Sequence, residues 1–311
     1  MRIAVIGVGG VGGYFGGRLA QSGEQVIFIA RGAHLQAIQE NGLRVESIKG
    51  DFLIHPAQAT EDPHTLGQMD VVLVGVKAWQ VTETAQVIRP MIGADTCVLP
   101  LQNGVEAPAQ LAAVLGAEHV LGGLCQISAY IAAPGHIRHV GIEPYVALGE
   151  MDGRASERVE ALRKAFARAG VAVEVPGDIQ AAMWEKFLFI ATISGVGAVT
   201  RAPVGAIRHL PGVRQMLHQA MLEIEAVAHA RGVRLPADAV QRRMDFIDRL
   251  PVNVTASMQR DLVAGRPSEL ESQNGALVRM GLEAGVPTPT HTFIYHSLLP
   301  QELRARGQLD F

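Results

Sequence analysis

Cysteine is scarce in this sequence, and so is net charge. Only two cysteines occur in 311 residues, Cys97 and Cys125. They form no C-x-x-C pair and no metal-ligand spacing, so neither a disulfide scaffold nor a zinc site is written here. Both read as small buried residues of a reducing compartment. The formal net charge of −3 leaves no electrostatic footprint for nucleic acid or an acidic membrane surface. Local pairs such as Arg242-Arg243 are expected on a solvated helix face. Long apolar runs are missing too. Ile3 to Ile6 ends in glycine and does not read as a signal peptide. The uncharged stretch Phe187 to Thr200 falls short of the roughly 20 apolar residues a bilayer needs. No internal repeat or low-complexity segment is evident. What these absences leave is a soluble, cytoplasmic globular protein, 48% hydrophobic and 18% charged. It is long enough for two domains.

The first half alternates strand and helix signals. "MRIAVIG" is a β-branched run ending in glycine, as in a buried parallel strand. Helical spacing follows from about Val11 to Gln21, with a glycine at the exit. "QVIFIAR", "DVVLVGVK" (Asp70 to Lys77) and "TCVLPLQNG" (Thr96 to Gly104) read as further strands. This order predicts an α/β fold, a Rossmann-type doubly wound parallel sheet. The strand signal stops around "VAVEVPGDI" (Val171 to Ile179). Beyond it come helical patterns broken by "RHLPG", "GVRLP" and "GVPTPT". The expected organisation is therefore a dinucleotide-binding domain over 1–177 and an all-α domain over 178–311.

Gly7, Gly9 and Gly12 form G-x-G-x-x-G between the first strand and the first helix. Gly7 permits the tight turn, Gly9 lets the backbone approach a pyrophosphate, and Gly12 lets helix and strand pack closely. The phosphates would then meet free N–H groups at the helix N-terminus, along Val8, Gly10 and Val11. A glycine-rich turn without a ligand is the bland alternative, and the strand–turn–helix context argues against it. At the end of the second strand an NAD site usually carries Asp or Glu. Here Ala30 and Arg31 stand there, and arginine offers a fork of donors suited to a 2′-phosphate. NADPH is the expected cofactor; a surface arginine is the alternative.

Lys77 and Asn103 end two strands, where an open parallel sheet binds its ligands. Either could be a turn residue, yet on separate strands above one crevice they are expected to line the cofactor and substrate site. His136 and His139 in "GHIRH" have no further ligand at a sensible spacing, so no metal is expected. Lys186 poses a different question, because fourteen uncharged residues follow it. Burying a lysine beside so apolar a stretch is costly without a partner or a task. On the fragment alone, a lysine snorkelling to solvent accounts for it as well.

Taken together, "GVGGVGGYFGGRL", an arginine after strand two, "VK", "LQNGV", "WEKF" and "SMQRDLVAGRPSELESQNG" (Ser257 to Gly275) resemble the ketopantoate reductase (2-dehydropantoate 2-reductase) family across nearly the whole chain. The resemblance implies NADPH-dependent reduction of a 2-oxo acid, in pantothenate biosynthesis for the typical member. It carries the catalytic lysine onto Lys186 and the acidic partner of substrate hydroxyl and cofactor onto Glu269. It places Asn103 between nicotinamide and substrate, and Ser257 at the substrate carboxylate. Lys77 matches a cofactor-side lysine, and Ala129 a backbone contact to NADPH. The chemistry agrees: hydride delivery to a ketone leaves negative charge on oxygen, which a positioned ammonium stabilises and protonates. Lys186 is then the general acid, expected in a dry cleft.

Ile190 and Ser194 follow Lys186 at spacings of four, so all three should project from one helix face. The typical family member has asparagines at the latter two positions, bonding the substrate. Asn253 lies beside, and Val254 on, another such position. An unpaired buried hydroxyl typically costs about 1–3 kcal/mol. A related, more apolar 2-oxo acid is therefore a rival to ketopantoate. Other classes also stay open: a 3-hydroxyacid dehydrogenase or imine reductase, and a non-catalytic NADPH sensor. The expected partner is a small 2-oxo acid, and a homodimer is admitted; nucleic acid and membrane are not.

Overall fold

The computed structural model describes residues 1–310. They divide into two compact units, Met1–Gln102 with Ala107–Ile179, and Asn103–Glu106 with Gln180 onward. The division thus falls two residues beyond the expected boundary, and four residues of the first half belong to the second unit.

In the first unit the chain runs β1 (Arg2–Ile6), α1 (Gly10–Gln21), β2 (Gln25–Ile29), α2 (Gly32–Asn41), β3 (Leu43–Ser47), β4 (Phe52–Ile54) and β5 (Gln58–Thr60). It continues through β6 (Val71–Val74), α3 (Val81–Ile88), β7 (Cys97–Pro100), α4 (Ala107–Leu115), β8 (Leu121–Gln126), β9 (Ala129–Ala133) and β10 (His136–His139). β11 (Tyr145–Glu150), α5 (Glu157–Arg168) and β12 (Ala172–Glu174) complete it. The main sheet has the order β5-β2-β1-β6-β7, every pair parallel. Four of its strands, β1, β2, β6 and β7, are buried almost throughout because helices cover both faces, which is why they read as continuous β-branched runs. The edge strand β5, "QAT", is short and polar and carries no such signal.

Two further sheets depart from the doubly wound expectation. β4-β3-β10-β9 and β12-β11-β8 are mixed, with β9/β10 and β8/β11 antiparallel. The two histidines of "GHIRH" serve the first of them. Buried His139 bonds Ser47 Oγ at 2.8 Å through Nδ1 and the Ile142 carbonyl at 2.7 Å through Nε2. His136 Nε2 stands 3.2 Å from Glu46. Both cysteines are buried and neither forms a disulfide, and burial pushes the Cys97 thiol up to about 12.

The second unit is helical: α6 (Ile179–Thr200), α7 (Val204–His209), α8 (Pro211–Ala230), α9 (Ala239–Arg249), α10 (Ser257–Val263), α11 (Ala276–Ala284) and α12 (Pro289–Ala305). The sequence breaks act where expected. Pro211 and Pro289 open helices at positions that need no N–H, and Gly285 closes α11 in the left-handed region at φ 66°. α6 is longer than its uncharged stretch, at 22 residues, and is long and apolar enough to cross a membrane. Two-thirds of its most apolar part is buried, with Phe187, Leu188, Ala191 and Val196 almost fully so. A helix apolar on every side is a core helix when its sides are consumed by packing.

Candidate active site

Around the glycine turn the site is built of backbone. Gly7 sits at φ 87°, and a Cβ there would lie 2.5 Å from the Val76 nitrogen. A Cβ on Gly12 would lie 2.2 Å from the Gly7 carbonyl oxygen. Gly10 answers a different neighbour, because its Cβ would strike the Ala129 carbonyl at 2.1 Å. Ala129 is thus brought against the turn, and Gly10 is required for that approach. Gly9 differs from all three: a Cβ on it would meet nothing within 4 Å. It is the N-cap of α1 and supplies no side-chain cap, so the first-turn N–H groups of Gly10, Val11 and Gly12 have no intrahelical acceptor. Open ground beside Gly9, over uncapped amides at a helix N-terminus, fits a diphosphate. Val8, by contrast, is buried, with its side chain 4% exposed.

Arg31 is the exposed N-cap residue of α2, and its guanidinium makes no hydrogen bond or ion pair to another described residue. Lys77 is exposed after β6, with Nζ 5.7 Å from the Trp79 ring centre. The buried Gln102 side chain ties the chain after β7 to the end of β6, donating to the carbonyls of Val74 at 2.9 Å and, just beyond β6, of Val76 at 3.0 Å. It fixes where the chain leaves the sheet for Asn103.

In the second unit the site is built of side chains. Asn103 Nδ2 donates to Glu269 Oε2 at 3.2 Å, joining positions far apart in sequence. Gly104, at φ 102°, lets the strand-end segment pass the Ser272 carbonyl closely. Glu106 pairs with Arg279 at 3.1 Å, although burial raises its carboxyl above the usual range. Glu269 is 7% exposed. The residue before it is held by a buried acid: Glu302 accepts from the Ser268 N–H at 3.1 Å and from its Oγ at 2.5 Å. Arg306 in turn bonds both Glu302 and the Ser268 carbonyl.

After Glu269 the chain makes a π-helical turn, Glu271–Gly275, before entering α11. Gly275 N–H reaches back to Leu270 O at 3.0 Å, five residues away. The extra residue lets two neighbours face different partners. Gln273 turns back, its Nε2 3.4 Å from Glu269 Oε2. Asn274 turns to α6, donating to Ala191 O at 3.3 Å and contacting His291 Nδ1 at 2.9 Å. Burial pushes the His291 imidazole down to about 4, so it is neutral. Its Nε2–H donates to Ala220 O at 3.1 Å, leaving Nδ1 to accept from Asn274. Gly195 makes room for this amide, since a Cβ there would lie 2.6 Å from Asn274 Nδ2. The helix that carries Lys186 is thereby fastened to the turn that follows Glu269.

Lys186 is half-buried on α6 rather than sealed, Ile190 is half-buried, and Ser194 is fully buried with no partner for its Oγ among the described residues. Burial therefore deepens along the stripe. Ser257 opens α10 and is half-buried. Arg242 and Arg243 do not simply face solvent. Both reach Glu185, the neighbour of Lys186, at 3.2 and 2.7 Å. Gln102, Gln273 and Asn274 were not singled out by sequence reasoning. The one sequence cue for Gln273 is its spacing of four from Glu269.

Two family models match, ketopantoate reductase PanE/ApbA over residues 3–153 and its C-terminal counterpart over residues 178–302. The chain is 33% identical to a 2-dehydropantoate 2-reductase of Mesorhizobium japonicum, covering 93% of this chain and 94% of that one. It is 31% identical to an uncharacterized oxidoreductase of Bacillus subtilis, over 96% and 98% of the two chains. Among solved structures, a PanE/ApbA family ketopantoate reductase from Ralstonia eutropha superposes with a TM-score of 0.89 at 32% identity, over 98% of this chain and all of that one.

Proposed function

The chain belongs to the ketopantoate reductase family, and on that footing we propose that it is a soluble, cytoplasmic, NADPH-dependent reductase of a small 2-oxo acid. The observation that carries the reading is the meeting of Asn103 and Glu269 at 3.2 Å within the unit whose central helix bears Lys186. A reduced nicotinamide, when bound beside the glycine turn, supplies the hydride. The residues of this chain do the rest. As the carbonyl carbon gains hydride, its oxygen gains the electron pair of the C=O bond, and the Lys186 ammonium stabilises that charge and donates a proton to it. The product is the 2-hydroxy acid and a neutral lysine. Because Lys186 is half-exposed, water can return the proton. Glu269, held by amide N–H groups, accepts from the substrate hydroxyl; Asn103 contributes a second polar contact; and Ser257 meets the substrate carboxylate. Arg31, with no partner among the described residues, is suited to the 2′-phosphate of NADPH.

2-Dehydropantoate is the first substrate to test, with pantothenate biosynthesis as the setting. A more apolar 2-oxo acid is the second reading. It is favoured by Ile190, which can bond no hydroxyl, and by Ser194, whose full burial keeps its Oγ from an open pocket. The test is NADPH oxidation across 2-oxo acids including 2-dehydropantoate and 2-oxo-3,3-dimethylbutanoate, with an imine as control. Turnover of the imine alone, or of nothing, would overturn the proposal.

A further inference from the structure

Glu269 Oε2 receives two amide groups, one from Asn103 at 3.2 Å and one from Gln273 at 3.4 Å. Asn103 belongs to the expected site; Gln273 does not. Its side chain is fully buried, and its Oε1 has no hydrogen-bond partner among the described residues. The amide cannot be turned round to relieve this. That would set a carbonyl oxygen against a carboxylate oxygen, two acceptors with no hydrogen between them. The orientation that serves Glu269 is therefore the one that leaves a buried acceptor unpaired.

Such an acceptor costs stability, and an apolar side chain of the same volume would avoid the cost. Packing alone gives no reason for glutamine at this position. Local geometry gives one. The Gln273 N–H bonds the Glu269 carbonyl at 3.0 Å, so the two residues lie one turn apart on the same face. The π turn then rotates Asn274 away toward α6.

We propose that Gln273 is a positioning residue for catalysis: its Nε2–H, with that of Asn103, fixes the Glu269 carboxylate in the orientation that meets the substrate. Gln273 touches neither substrate nor cofactor and acts through Glu269. The inference rests on the reading of Glu269 given above, and its test separates the two.

The measurement is steady-state kinetics with NADPH and the best 2-oxo acid of the panel for wild type, Gln273→Met, Gln273→Leu, Glu269→Gln and the Glu269→Gln/Gln273→Met double variant. NADPH affinity and Tm are measured alongside. Gln273→Met should lower kcat/KM for the 2-oxo acid about tenfold, the worth of one such hydrogen bond. NADPH affinity should be unchanged, and Tm should move little, since loss of the donor to Glu269 and loss of the unpaired acceptor act in opposite directions. In the Glu269→Gln background the same substitution should cost nothing further. Unchanged kcat/KM in Gln273→Met, an equal loss in the Glu269→Gln background, or unfolding of both Gln273 variants would overturn the proposal. Full activity of Glu269→Gln would instead remove the role of Glu269 itself. Impaired Glu269→Gln with unimpaired Gln273→Met would remove only the positioning role.

Discussion

Beside the glycine turn, the first unit offers a ligand peptide N–H groups and the space left by missing side chains. In the second unit, the surroundings of Glu269 are amides, carboxylates and a buried imidazole held by one another. The two constructions differ in how they fail. A backbone site is spoiled by adding atoms, because a Cβ at Gly7, Gly10 or Gly12 would overlap main chain. A side-chain site is spoiled by removing donors, because each buried acceptor then loses a partner. Among the described residues, buried oxygens without a hydrogen bond lie on Thr192, Ser194, Gln273 and Asn274 in the second unit and on Gln102 in the first. Each such group calls for a reason, whether strain, a catalytic role or a bound water.

The sharpest way to test the contrast is to remove the one ammonium on α6. Lys186→Ala should lower kcat by about 10²- to 10⁴-fold, the usual worth of a general acid, with NADPH binding retained. A variant that turns over at the wild-type rate would mean that Lys186 merely snorkels.

Arg31→Ala comes next. The lost charge-assisted contact is worth about 1.5–3 kcal/mol to NADPH and nothing comparable to NADH. Binding titrations with both cofactors decide it. An equal loss for the two, or no loss, would reduce Arg31 to a helix cap.

Within the glycine turn the contrast becomes a pair of single-methyl experiments. Gly12→Ala forces a Cβ onto the Gly7 carbonyl and should cost about 1–3 kcal/mol of stability, as overpacking does. Gly9→Ala meets no protein atom, so Tm should hold while NADPH affinity falls. If Gly9→Ala binds NADPH as the wild type does, the diphosphate lies elsewhere.

Legibility followed the same division. Four strands of the main sheet, β1, β2, β6 and β7, and the glycine turn could be read because burial on both faces forces β-branched runs, and a tight turn forces glycine. The antiparallel pairs could not. β8, "LGGLCQ", breaks its own apolar run with glycines, of which Gly123 passes the Pro100 carbonyl closely. The assignment of Asn103–Glu106 to the helical unit was also invisible, since its partners Glu269 and Arg279 lie over 160 residues away. The π turn depends on tertiary demand: Asn274 is drawn to Ala191 and His291, and no local pattern encodes a five-residue step. Lys186 announced itself only as an oddity, and Glu269 only through family resemblance. Side-chain sites assembled across a chain leave little periodic trace.

The smallest expected effect tests the apolar stripe on α6. An apolar wall discriminates poorly against one hydroxyl, whereas a site built to bind that hydroxyl strongly rejects an analogue lacking it. The wild type should therefore separate 2-dehydropantoate from 2-oxo-3,3-dimethylbutanoate by about tenfold or less. Half-buried Ile190 is the position to change, and Ile190→Asn should raise kcat/KM for 2-dehydropantoate and widen the ratio. Ser194 is fully buried, so Ser194→Asn should chiefly cost stability, about 1–3 kcal/mol from overpacking. Kinetics on both acids and thermal melts of both variants separate the two outcomes. A wild-type preference of a thousandfold for 2-dehydropantoate would mean that residues off this stripe hold the hydroxyl, and the altered-substrate reading would fall.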